Sequence, residues 1–206
     1  MNVLSGAILE DMARPTGPRK NADGDSVPRE RLLRTASDLF YREGIHSVGV
    51  DRLVGAADVT RATFYRHFPG KEDLVEAYLD EEDAYIRGMF AGVADIEDPH
   101  TRLELLIGGL AADIQTRHTR GCPFINASAE YPDPASTVRR KVAAHRAWFR
   151  GTLEQLLTDA GVVDPLERAG ELVLLRDAAM VGGYLDGWPG IEAAFTTAAR
   201  RAAGLS

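Results

Sequence analysis

Cysteine is almost absent from this chain: its 206 residues contain one, Cys122. One thiol can neither close an internal disulfide nor build a cysteine-rich zinc site, so a small disulfide-stapled secreted domain is excluded. Long apolar runs are missing too. No stretch of about 18 apolar residues occurs, so nothing reads as a membrane span. The N-terminal MNVLSGAILEDMARP has no basic start, and Ser5 and Gly6 interrupt its apolar stretch, which makes a poor secretory signal. A soluble cytoplasmic protein is expected. The usual enzyme signatures are also lacking: there is no Gly-x-Ser-x-Gly, no phosphate-binding glycine loop and no His-Glu-x-x-His. His100 and Glu104 stand four apart and His118 and His145 lie elsewhere, so they form a metal site only if folding gathers them. Neither an enzyme nor a bound cofactor or metal is expected.

What is present is enough to fold. Apolar residues make up 45% and charged residues 27%, so the chain can bury a core. The formal net charge is -7, which looks wrong for a nucleic-acid binder. The charge is unevenly placed, however. Residues 26–71 hold eight basic and five acidic residues, and residues 76–206 hold thirteen basic and twenty acidic ones. A basic head on an acidic body would meet a polyanion through the head alone.

Periodicity divides the chain. Residues 1–25 show neither helical nor strand period and read as a flexible tail. Arg14, Arg19 and Lys20 in it could form a basic arm. From Pro28 on, apolar residues recur at helical spacing almost to the end, as in Leu32, Leu33, Ala36, Leu39 and Phe40. Asp25 or Ser26 can cap that helix, and Gly44 stops it. Short helices follow at about Val50–Ala57 and Arg61–Phe68. A long one opens at Lys71 after Pro69-Gly70. Further helices are expected over Leu103–Thr116, Cys122–Tyr131, Ser136–Leu157, Pro165–Asp186 and Ile191–Ala203, with Gly187-Trp188-Pro189 as a separator. No stretch alternates with period two. The fold class is therefore all-α, with about nine helices and no internal repeat.

The informative stretch is VDRLVGAADVTRATFYRHFPGKEDL, residues 50–74. Two short helices joined by a tight turn, the second opening on a hydroxyl cap, make a helix-turn-helix, whose second helix enters the DNA major groove. Thr60 can cap that helix and donate to a phosphate. Arg61 and Thr63 project from its first turn, where side chains read base edges. Ala62 permits close approach or touches a thymine methyl. Tyr65 and His67 carry polar tips that reach phosphates. Lys71 joins its ammonium to the N–H groups of a helix start, which together attract a phosphate. Arg52 divides between a phosphate contact and plain solvation. Val59, Phe64 and Phe68 read as core.

This segment resembles the DNA-binding region of TetR-type transcriptional regulators. The likeness is carried by Leu53-Val54, Ala56-Ala57, Val59-Thr60, Phe64-Tyr65-Arg66-His67-Phe68 and Lys71-Glu72-Asp73-Leu74, with Ala36, Leu39, Phe40 and Gly44 ahead of them. It covers about 50 residues, and the rest of the chain matches in helix number, order and length. Members usually have glycine where this sequence has Asp58, a position that needs a left-handed backbone; aspartate tolerates it at modest cost. The Val48-Gly49 segment also lacks the hydroxyl residues often found there, which can cost the second helix a phosphate contact.

The resemblance implies a three-helix DNA-binding domain over residues 26–72 and a helical ligand-binding and dimerisation domain over residues 73–206. The implied partners are double-stranded DNA with a palindromic operator, a small-molecule effector and a second copy of the chain. The homodimer would form through the last two helices, which carry Leu172, Val173, Leu175, Ala179, Met180, Gly183, Tyr184, Ile191, Ala194, Phe195 and Ala198, with Gly182-Gly183 allowing close approach. A ligand pocket would lie among the helices at 73–90, 103–116, 122–131 and 136–157. Its candidate lining is Phe90, Ile107, Leu110, Ile114, Phe124, Asn126, His145, Trp148, Phe149 and Met180, suited to a mostly apolar or aromatic effector with Asn126 and His145 as polar anchors. Cys122, between Gly121 and Pro123 at a helix start, is either a reactive sensor thiol or a small buried residue. The implied function is a ligand-responsive repressor. Its alternatives are a small-molecule-binding or enzymatic helical protein with a vestigial head, and an architectural DNA-binding protein that senses nothing.

Overall fold

The computed structural model describes residues 26–205. The expected tail, with Arg14, Arg19 and Lys20, lies outside the described residues, as does the candidate cap Asp25. Nine helices and no strand occur among the described residues. They are α1 (Ser26–Glu43), α2 (Val50–Ala56), α3 (Arg61–His67), α4 (Lys71–Ala91), α5 (Pro99–Thr116), α6 (Pro123–Glu130), α7 (Thr137–Asp159), α8 (Pro165–Asp186) and α9 (Trp188–Ala202). No helix among them is long and apolar enough to cross a membrane.

Two helix starts differ from the periodicity. α5 begins at Pro99, four residues before Leu103, because Asp98 caps it: Asp98 Oδ2 accepts from the Thr101 N–H at 2.8 Å. Pro99 sits in the first turn, where a missing N–H loses no bond. α9 begins at Trp188, three residues before Ile191, although no side chain caps it. Only Gly187, with φ at +84°, separates it from α8, and Pro189 is part of its first turn.

The described chain forms two compact units that interleave along the sequence. The first takes residues 26–84 and 123–143, and the head expected over residues 26–72 lies wholly within it. In this unit α1, α2 and α3 pack on one another. Leu32, Ala36, Phe40, Leu53, Phe64 and Phe68 are buried, as the helical stripes require. Leu74, Val75 and Tyr78 of α4 and Val138 and Val142 of α7 are buried as well. The second unit takes residues 85–122 and 144–205. There α5, α8 and α9 pack together around Leu103, Leu106, Leu153, Met180 and Phe195. The room left by Gly182 is filled from within the chain, since a Cβ there would meet Ile191 Cδ1 at 3.0 Å. Gly183 likewise faces Ile114 and Trp188. These glycines serve packing inside the subunit.

Candidate nucleic-acid interface and effector region

The geometry of the head follows from the turn between α2 and α3. Asp58 sits there with φ at +50°, in the left-handed region the turn demands. Its N–H returns to the Gly55 carbonyl at 3.3 Å, and the Val59 N–H returns to that of Val54 at 3.0 Å. The sequence did not point to the residue that grips this turn. Arg31 of α1 donates from Nη2 to the Asp58 carbonyl at 3.0 Å, bridging 27 positions. Thr60 then caps α3, its Oγ1 accepting from the Thr63 N–H at 3.1 Å and lying 2.9 Å from Thr63 Oγ1. Phe64 is fully buried and Phe68 nearly so, which fixes the roll of α3 about its axis. Val59 is only half-buried.

That roll decides which side chains face out. Arg61, Ala62 and Tyr65 are exposed, and Thr63 and His67 are half-buried. Arg61 is held by Asp51 of α2, with Nε 2.7 Å from Oδ1. The Asp51 carboxylate raises the Arg61 pKa, so the guanidinium stays charged while parked. Arg52 is paired in the same way with Glu43 at 2.5 Å. His67 Nε2 lies 3.4 Å from Arg66 Nη2. Lys71 opens α4, half-buried, with its ammonium 6.0 Å from the centre of the Phe40 ring. Burial lowers its pKa, and the Glu130 charge opposes that shift. The surface thus presents four cations, a phenol and an imidazole on α3 and the ends of the helices flanking it. This combination suits phosphate positioning with base-edge reading at its centre.

The candidate effector residues separate into groups. Phe90, His145, Trp148 and Phe149 come together in the second unit. Phe90 lies 5.3 Å from Trp148 and 5.5 Å from Phe149 between ring centres, and His145 lies 6.1 Å from Phe149. Ile107 and Leu110 line a small apolar cavity of about 10 Å³ with Leu103, Leu106, Leu153, Leu172, Phe195 and Ala199. That is room for about one water molecule. Ile114 and Met180 are buried elsewhere in the same unit. Phe124 is buried and Asn126 half-buried on α6, which belongs to the first unit.

Two buried polar pairs in the second unit were not anticipated. His118 Nδ1 lies 2.6 Å from Asp113 Oδ2, both side chains buried. Among the described residues no group of three or more His, Cys, Asp or Glu side chains is arranged to hold a metal ion. Cys122 is buried, and its sulfur accepts from Arg176 Nη1 at 3.0 Å. Arg176 is itself buried, in the middle of α8. Burial disfavours its charged form, but Cys122 and Asp177 outweigh it and raise its pKa.

Comparison with known proteins agrees with this arrangement. The family described as bacterial regulatory proteins, tetR family, matches residues 32–78, and the tetracyclin repressor-like C-terminal domain matches residues 99–179. A solved TetR-family transcriptional regulator from Streptomyces coelicolor is 42% identical with a TM-score of 0.83, over 87% of this chain and 95% of that one. The regulatory protein TetR from Rhodobacter sphaeroides, at 24% identity, a TM-score of 0.74 and 85% and 98% coverage, shares the fold. The HTH-type transcriptional regulator LmrA from Bacillus subtilis (strain 168) is 28% identical over 79% of this chain and 86% of its own length.

Proposed function

The chain belongs to the TetR family of DNA-binding transcriptional regulators, and from that premise we propose that it is a cytoplasmic repressor released from a palindromic operator by a small, largely apolar or aromatic effector. The outward face of α3 carries this reading. Phe64 and Phe68 pin the helix from behind, leaving Arg61, Ala62 and Tyr65 exposed along it. Arg61 and Thr63 read base edges. Thr60, Tyr65, His67 and Lys71 hold the backbone, with Arg52 beside them. A homodimer sets two such helices about 34–36 Å apart, one turn of DNA.

The effector acts through the helices after α4. Binding there shifts α4, whose first residue is Lys71, and changes the spacing of the two heads. Moving a two-state equilibrium from 1:99 to 99:1 takes about 5.5 kcal/mol of preference, which two bound effectors can supply together.

The test is a titration of the purified protein against the DNA upstream of its own coding region at several salt concentrations, with footprinting. The control is the double variant Tyr65→Ala, Lys71→Ala. A protected palindrome is expected, with affinity falling steeply as salt rises and lost in the control. Binding to random DNA that matches binding to every selected sequence would overturn the reading and favour a helical small-molecule protein with a vestigial head.

A further inference from the structure

Arg176 is a charged residue in a core position. It lies on the same face of α8 as Ala169, Leu172, Ala179 and Met180, all buried. A guanidinium carries five N–H donors in a fixed fork. Here Nη1 makes both contacts, to Cys122 Sγ at 3.0 Å and to Asp177 Oδ1 at 3.2 Å. Nε is buried and has no acceptor among the described residues. Neither contact is a full counterion. Sulfur is a weak acceptor. The other oxygen of Asp177 is taken by Arg146 at 2.8 Å. Two guanidiniums therefore share one carboxylate, and the more buried one keeps an unfilled donor. Cys122 and Asp177 hold the guanidinium charged in the core, and its unfilled Nε donor can still take an anionic acceptor.

The surroundings define the rest of that anion. The Phe149 ring centre is 5.6 Å from the guanidinium carbon of Arg176. Phe90 and Trp148 continue the wall, edge to face. Edge-to-face rings accept a further ring in the same mode. The Arg87 guanidinium carbon lies 4.0 Å from the centre of the Trp148 ring, at the far side of that wall from Arg176 along the ring series, and apolar walls with a few convergent polar groups are the pattern of a small-molecule site. Arg176, Arg146 and Asp177 together leave a single positive charge, so a carboxylate balances that set, whereas a phosphate with nearly two negative charges would over-compensate. The geometry points to an aromatic monocarboxylate as the effector, its carboxylate on Arg176 and its ring against Phe149 and Phe90. This rests on the reading of the chain as an effector-responsive regulator and names the chemistry of its ligand.

The experiment is calorimetric titration of the full chain with 2-naphthoate and benzoate, each against its uncharged amide. Wild type should bind a carboxylate about tenfold or more tighter than the matching amide, as a charge-assisted hydrogen bond requires. Arg176→Met should abolish that preference and leave amide binding unchanged. Arg146→Gln is the second variant, because Arg146 is half-exposed and its loss spares the core. It releases Asp177 to neutralise Arg176 and should weaken carboxylate binding while sparing the amide. Equal affinities for carboxylate and amide, no binding of any of the four, or parallel loss of both ligands in folded Arg176→Met would each overturn the assignment. Footprinting in the same samples separates the two readings. Sequence-specific DNA binding without carboxylate preference sinks the effector assignment alone. Carboxylate preference without sequence-specific DNA binding sinks the regulator alone.

Discussion

Glu130 and His46 are joined twice. The Glu130 carboxylate accepts from the His46 backbone N–H at 2.5 Å and lies 3.1 Å from its Nδ1. The same carboxylate accepts from the Ile45 N–H at 2.8 Å, and the Tyr131 ring lies 5.1 Å from the His46 ring. One side chain at the end of α6 thus satisfies two backbone donors in the link between α1 and α2. Those donors follow a helix end where the chain is no longer hydrogen-bonding to itself.

Glu130→Gln should destabilise the protein by about 0.5–1.5 kcal/mol, since the amide keeps one acceptor oxygen and only one of the two N–H groups loses its partner. The pH dependence gives the sharper test. Burial pushes the Glu130 carboxyl up, but the N–H groups of His46 and Ile45 and the His46 ring outweigh it and hold it below the usual glutamate value. A depressed folded value means stability present above the unfolded value of about 4.3 and lost as pH falls through the folded one. The difference in Tm between wild type and Glu130→Gln should be constant near neutrality and shrink below about pH 4. A difference independent of pH would remove the charge from the explanation.

Asp58 holds a left-handed backbone with its side chain in solvent, 3.9 Å from the Arg31 guanidinium. Asp58→Gly should therefore stabilise by about 0.5–1 kcal/mol, and Asp58→Val should destabilise by about 1–2 kcal/mol. The Arg31 bond goes to the backbone carbonyl and survives both changes. Chemical denaturation of the three proteins measures the order. Asp58→Gly melting below wild type would show that the carboxylate does more for the turn than its backbone costs.

The head was legible in the sequence because its signals are local. Phe64 and Phe68 are one helical turn apart, Thr60 precedes an amphipathic segment, and a tight turn before it demands positive φ at Asp58. The Glu130 contact was not legible, since it joins residues 85 positions apart. Arg176 left a signal that apolar periodicity passes over: Ala169, Leu172, Ala179 and Met180 fix a buried stripe, and residue 176 falls on it. The expected dimer stripe mixed two faces of α8 and α9. Leu172, Ala179, Met180 and Phe195 are buried within the subunit, and sequence spacing alone does not say which of two apolar faces turns inward.

Arg61 and Lys71 should fail differently. Arg61 stands in the first turn of α3 and is parked on Asp51, so on the proposed reading binding would exchange that carboxylate for a base edge. Arg61→Ala should relax discrimination at one base pair of each half-site by about 1–3 kcal/mol. Lys71→Ala should weaken all sequences alike and lower the slope of log K against log salt by about one per subunit. Asp51→Asn removes a competing charge and should tighten binding. Competition with single-base operator variants at two salt concentrations reads all three. A uniform loss in Arg61→Ala would move that residue from the base edges to the backbone.

The outer face of α8 predicts where two subunits meet. Leu174 and Leu185 are each 70% exposed and Val181 is 45% exposed. Spaced seven and four residues apart, they fall on one side of the helix, opposite the buried stripe of Leu172, Ala179 and Met180. Tyr184, also exposed, borders them. A contiguous apolar face of this kind on a folded surface marks an interface. Pairing α8 and α9 with their copies would cover it as a four-helix bundle. Leu174→Glu and Val181→Glu should leave the melting of the subunit nearly intact, because neither side chain contributes to the core, yet convert the dimer to monomer in sedimentation. A monomer carries one head and holds one half-site, so the operator footprint should be lost while weak, salt-sensitive binding to any DNA persists. If both variants sediment as dimers, the subunits join through another face, and the spacing of the two recognition helices must be derived from that one.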